Sequence, residues 1–197
     1  GALATGVGST DFAGVWALGE TWLKVPPTIR VDFAGKRPGW VMGKDMILSL
    51  LGRIGVQGAR YMALEFGGEG LENLPMDDRF TIANMAVEAG AKTGVFVPDE
   101  KTLEYARSRA AREFIPRYPD SDAAYARRET FDLDRMGPVA AMPSSPDNVK
   151  PVRECGSPEI DQVFIGACTN GRLRDIETAA KLMEGKKVAP NVRCIVI

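Results

Sequence analysis

An α/β fold with mostly parallel sheets is predicted by three observations. Short apolar or alternating runs near residues 28–33, 60–66 and 93–97 are each followed by a turn and then a stretch of helical periodicity. Glycines and prolines punctuate the boundaries, at Pro26-Pro27, Gly35, Gly55, Gly58 and Gly90. Beyond a proline-rich stretch the pattern resets into one more strand–helix–strand unit, the repeating unit of a parallel sheet.

Residues 1–20 are rich in Gly and Ala, with Phe12, Val15, Trp16 and Gly19 at helical spacing, and predict a tightly packed helix after a glycine turn. Ser9, Thr10 and Asp11 are candidate caps for it. A strand follows at Thr28 to Phe33. A helix from Lys44 to Ile54 places Ile47, Leu50, Leu51 and Ile54 on one face. A strand runs from Arg60 to Phe66, with a turn at Gly67 to Gly70. The helix from Asp77 to Ala89 is expected to turn Phe80, Ala83 and Val87 inward and to close at Gly90. After a short buried strand, Thr93 to Val97, Pro98-Asp99-Glu100 suits the start of a helix reaching about Glu113. Residues 117–128 read as a connection and Glu129 to Leu133 as an edge strand. Pro138, Pro143, Pro146 and Pro151 mark a linker, with a domain boundary near residue 145. The closing unit is a strand from Gln162 to Ile165, a helix from Arg172 to Met183 and a strand from Val192 to Ile197. Two strands alone leave Val163, Ile165, Ile195 and Val196 largely uncovered.

Composition narrows the function. Of 197 residues, 45% are hydrophobic and 26% charged, ordinary for a globular chain. Lys and Arg number 25 against 26 Asp and Glu, so no global basic field holds nucleic acid or an anionic membrane. No apolar run approaches the length of a membrane span. The three cysteines, Cys155, Cys168 and Cys194, do not make a disulfide framework, and a reducing cytoplasm is the expected setting. The absence of histidine removes Ser-His-Asp and Cys-His catalysis and imidazole metal sites from this chain.

Two stretches carry candidate chemistry. Gly166-Ala167-Cys168-Thr169-Asn170-Gly171-Arg172 follows an apolar strand and opens a helix, where a thiolate is favoured by free backbone N–H groups. Cys168 there is an iron–sulfur ligand, a nucleophile or a small buried cysteine, and one thiol cannot hold a cluster. Cys194 falls inside a strand and reads as core; Cys155 has no evident partner. In the second stretch Asn84 and Glu88 stand four residues apart on one helix edge, among Ala83, Ala86, Val87, Ala89 and Gly90. They offer an amide and a carboxylate to a hydroxy acid, or form a solvated edge. The early Gly6-Val7-Gly8 run is not a P-loop, because no Gly-Lys-Ser/Thr follows.

Taken together, Gly6 to Asp11, Met62-Ala63-Leu64-Glu65-Phe66, Asn84 to Lys92 and Gly166 to Arg172 resemble the aconitase superfamily. Within it the likeness is to the large, iron–sulfur subunits of the 3-isopropylmalate dehydratase and homoaconitase group, with dimethylmalate dehydratase beside them. The resemblance runs through the whole chain. It implies aconitase-like three-layer α/β/α domains, with residues 1–27 ending a first domain, 28–144 forming a second and 145–197 opening a third. It implies a hydro-lyase that dehydrates and rehydrates a hydroxy di- or tricarboxylic acid, with isopropylmalate isomerisation in leucine biosynthesis the first expectation. Cys168 would be the first of three cysteines on a [4Fe–4S] cluster, Asn84 part of the substrate and cluster pocket, and Glu88 the catalytic group at the departing oxygen. The family's Asp-Ser-His segment lies before a match to Gly1 and its Cys-x-x-Cys after a match to Ile197. The family's serine base and substrate-selecting arginine belong to a small-subunit or swivel-domain partner. An internal piece is therefore expected, inactive alone and without a stable cluster of its own. A non-catalytic aconitase-like scaffold is the alternative. A thiol enzyme using Cys168 has no adjacent base to support it.

Overall fold

The computed structural model describes residues 3–197; the first two residues of the predicted opening helix lie outside them. The centre is a four-stranded, all-parallel sheet in the order β3-β2-β1-β4, made of β1 (Thr28–Ala34), β2 (Ala63–Gly67), β3 (Thr93–Phe96) and β4 (Arg127–Asp132). The parallel sheet and the edge position of β4 match the sequence reading.

Alternation sorts the two faces of this sheet. Ile29, Val31 and Phe33 point one way from β1 and are fully buried, as are Leu64 and Phe66 of β2. Phenylalanines step across all four strands: Phe96 to Phe66 at 4.9 Å, Phe66 to Phe33 at 6.3 Å and Phe33 to Phe131 at 5.8 Å between ring centroids. Such aromatic neighbours favour this register beyond their area alone. Two helices complete the core on that side. Helix α2 (Gly43–Ile54) contributes Met46, Ile47, Leu50 and Leu51; α3 (Met76–Asn84) and the 3₁₀ turn behind it contribute Ile82, Met85, Ala86 and Ala89. The opposite face is polar. Arg30 Nη1 and the Tyr125 hydroxyl both donate to Glu65 Oε1 at 2.6 Å, and Arg30 Nε donates to Asp32 Oδ1 at 2.7 Å.

Several expectations change. β2 begins at Ala63 because residues before it turn, with Tyr61 at φ 57. The predicted helix over 77–89 is α-helical only to Asn84 and continues as 3₁₀ over Met85–Ala89. Its buried side is Asp78, Arg79, Thr81 and Ile82, whereas Val87 is 56% exposed. Arg79 is what the apolar pattern misses. Its guanidinium donates to the carbonyls of Leu71 and Leu74 and to both carboxylate oxygens of Asp99, at 2.6 to 3.1 Å. Burial alone would raise the Asp99 carboxyl, but hydrogen bonds from Arg79 and Thr102 hold it down at about 2. Asp99 also caps α4 (Glu100–Arg107), which stops short of Glu113.

The proline-rich stretch is not a loose connection. It forms an antiparallel hairpin, β5 (Val139–Ala141) with β6 (Val149–Pro151), and Val139 and Val149 pack on the core. Residue 145 falls in its turn. Asp45 ties the hairpin to α2 by accepting from Val139 N at 2.9 Å and Met42 N at 2.7 Å. Burial nevertheless pushes its carboxyl above the ordinary range.

The ends are different in kind. Helix α1 (Ser9–Leu18) has no buried residue and is preceded by Gly8 with no side-chain cap, so the expected tight packing and the capping by Ser9, Thr10 or Asp11 are not found. Val15 is half-buried, but Trp16 is 79% exposed. The closing unit matches its prediction, with β7 (Gln162–Ile165), α5 (Leu173–Met183) and β8 (Arg193–Val196) forming a parallel two-stranded βαβ unit. Cys194 lies on β8, half-buried, and Cys155 Sγ donates to the Pro151 carbonyl at 3.4 Å.

Candidate active-site cleft

The cysteine loop leaves the carboxyl end of β7, the usual ligand edge of a parallel sheet. Gly166 opens it at φ 112, where any side chain would collide with the Ile197 carbonyl. Cys168 is exposed and free. The next residue pins the loop to the main body: the Thr169 carbonyl accepts from Thr81 Oγ1 and from Arg172 Nη1, both at 2.9 Å. Arg172 Nη1 also donates to Thr81 Oγ1 at 3.1 Å, and its guanidinium lies 5.5 Å from the Phe80 ring. Thr81 is buried on α3, so this clasp fixes the cysteine loop against the helix that ends in Asn84.

Beside the end of α3 lies a cleft of about 450 Å³, which Arg172 lines and Cys168 does not. Phe80, Ala83 and Val87, the side chains expected to face inward, face this cleft instead, with Asn84 beside them. Gly94 on β3 brings the helix close: a Cβ there would stand 2.9 Å from Ala86 Cβ and 3.0 Å from the Ala83 carbonyl. Thr5 and Gly6 form another wall. Among the described residues, two cations, Lys92 and Arg172, line the cleft and no carboxylate does. Thr93 also lines it, and its hydroxyl is buried without a hydrogen-bond partner. Such a site favours anions with several acceptor oxygens.

Asn84 and Glu88 are not related as expected. The change to 3₁₀ winding between them rotates Glu88 roughly 100° around the axis from Asn84, against about 40° in a continuous α-helix. Asn84 lines the cleft; Glu88 is exposed and is not one of its lining residues. The sequence motifs flagged Asn84 and Cys168. Lys92 enters only as the last residue of the Asn84 stretch, and Thr81, whose partners Thr169 and Arg172 are distant in the chain, and Thr93 are not flagged.

The chain belongs to the aconitase family: the model described as "Aconitase family (aconitate hydratase)" matches residues 1–159 and 153–197. It is 54% identical over its full length to a 3-isopropylmalate dehydratase large subunit of Sulfurihydrogenibium sp. (strain YO3AOP1), 55% to that of Nitratidesulfovibrio vulgaris (strain DSM 19637 / Miyazaki F) and 54% to that of Aquifex aeolicus (strain VF5). It covers 46%, 47% and 47% of those proteins, so the chain spans about half the length of the curated relatives it matches.

Proposed function

We propose that this chain supplies one wall of the active site in the large subunit of a hydro-lyase acting on a hydroxy di- or tricarboxylic acid, with 3-isopropylmalate the first candidate. The observation that carries the reading is the carboxylate-free, doubly cationic cleft beside Asn84, held to the Cys168 loop by Arg172 and Thr81. The names of the relatives support the substrate class. Lys92 and Arg172 would orient the substrate carboxylates by charge-assisted hydrogen bonds. The Asn84 amide would bond the substrate hydroxyl. Glu88 would exchange the proton of the departing hydroxyl, on a substrate reaching past the cleft rim.

A [4Fe–4S] cluster, which supplies Lewis acidity when bound, does not fit these residues alone. A cubane needs three or four thiolates, and among the described residues no three His, Cys, Asp or Glu side chains converge. Cys168 is proposed as one ligand, with the others coming from elsewhere in the enzyme. A small-subunit partner and a cytoplasmic setting complete the reading. Free thiols support the latter. Among the described residues no helix is long and apolar enough to cross a membrane.

The test is an assay of the large subunit with its small subunit, following the unsaturated acid by ultraviolet absorbance. Glu88→Gln is expected to lower kcat by about 100-fold or more. Arg172→Lys is expected to raise KM above all. Wild-type kcat in Glu88→Gln would remove Glu88 from the mechanism, and no turnover of any hydroxy acid by the wild-type pair would sink the reading.

A further inference from the structure

A second cavity, of about 250 Å³, shares no lining residue with the Asn84 cleft. The loop after β1 forms one wall and α5 the other. Three cations line it: Arg37 from the loop, and Arg174 and Lys181 from a single face of α5. Trp40, 66% exposed, stands beside them. No carboxylate lines the cavity. Two acids stand near them: Asp78, buried, whose Oδ1 accepts from Gly43 N at 2.9 Å and whose Oδ2 lies 3.9 Å from Arg174 Nη1, and exposed Glu177, between Arg174 and Lys181 on α5. Arg37 donates through Nη1 to the Val41 carbonyl, and its Nε is buried with no hydrogen-bond partner.

Cations scattered over a surface need no explanation. Three that converge on one concavity from segments more than a hundred positions apart, with no carboxylate among the described residues that line it, make a positive field that favours an anion. The cavity has room for an anion of several heavy atoms. We propose that it is a binding site for a small dianion, phosphate or dicarboxylate, held by Arg37, Arg174 and Lys181 against the Trp40 indole. An anion there bridges the loop of the main sheet to α5. It would therefore add to the docking of the cysteine-bearing unit, with a linkage that grows with anion concentration. The site does not depend on the hydro-lyase reading.

The experiment uses this chain with Trp16→Phe and Trp22→Phe, two exposed positions, leaving Trp40 as its only indole. Inorganic phosphate and malate are titrated separately at constant ionic strength, with chloride as control. Trp40 emission and deuterium uptake across residues 173–183 are followed. A saturable emission change with slowed exchange is expected for at least one anion, and which of them saturates identifies the source. Arg37→Gln and Lys181→Gln should each weaken binding about tenfold. Lys181 is exposed, so its variant keeps the fold even where Arg37→Gln does not. Linear drift with both anions, or unchanged affinity in Lys181→Gln, would overturn the proposal.

Discussion

The central sheet unit and the two flanking stretches contrast sharply in how they use apolar side chains. Among the described residues every buried hydrophobic lies between Ile29 and Leu133. The stretches 3–27 and 156–197 bury none, although they carry Phe12, Trp16, Leu18, Trp22, Phe164, Leu173 and Val196. The difference lies in the number of layers. Four parallel strands with two helices and a hairpin close a core on one face; two strands with one helix cannot. In the flanks the large apolar side chains stay exposed, while the centre covers its own.

The contrast is broken most severely at Arg79. Removing a buried guanidinium that donates to Asp99 and two carbonyls takes the charged partner from Asp99 and opens a cavity, so Arg79→Ala should lose about 3–5 kcal/mol in urea unfolding. Leu51→Ala in the same core should lose about 2–5 kcal/mol. A change in either below 1 kcal/mol would mean that the centre is not the cooperative unit. Acid offers an independent check. The Asp99 carboxyl, held at about 2 against an ordinary 3.8, is depressed in the folded chain. Its contribution is therefore complete above about pH 4 and is lost as pH falls toward 2. Asp99→Asn should flatten the acid limb of stability against pH in that window.

Arg79 also shows where sequence reading reached its limit. Helix α2, strands β1 and β3, and the closing βαβ unit were legible, because apolar periodicity and glycine stops coincide there. In helix α3 the apolar pattern predicts the reverse of the observed faces. Counting apolar residues favoured Phe80, Ala83 and Val87, whereas the core side is built around an arginine whose acceptors lie up to 20 positions away. Periodicity has no means of scoring a buried charge that finds its partners in three dimensions. The site divides the same way. Motifs marked Asn84 and Cys168, but the bond from Arg172 to Thr81 spans 91 positions and leaves no local trace. The spacing of Asn84 and Glu88 does not show the change of winding between them, since a turn of 3₁₀ helix looks like α-helix in sequence.

The clasp between centre and flank comes next in size. Thr81→Val keeps the shape of the side chain and removes its bonds to Thr169 and Arg172. We expect a local loss of about 1–3 kcal/mol, the range for a buried hydrogen bond left half-made. It should be read as faster deuterium exchange across residues 166–172 with little change in urea midpoint. A large fall in the midpoint would show that the flank contributes to the central core. Unchanged exchange would show that the loop is held by something other than this clasp.

The smallest effect is expected on β7. Phe164 is 53% exposed and packs on no closed core, so Phe164→Ala should shift stability by less than about 0.5 kcal/mol. The same truncation of a fully buried phenylalanine costs about 3–5 kcal/mol. Phe66→Ala, on the covered sheet, is the internal control. If Phe164→Ala instead costs above 2 kcal/mol in this chain, the two-stranded unit has found cover of its own, by self-association or by docking on the centre. Repeating the unfolding at several protein concentrations separates these, because only association makes the midpoint depend on concentration. A small cost for Phe164 beside a large one for Phe66 would fix the cause of the contrast in burial as missing layers, not weak sequence.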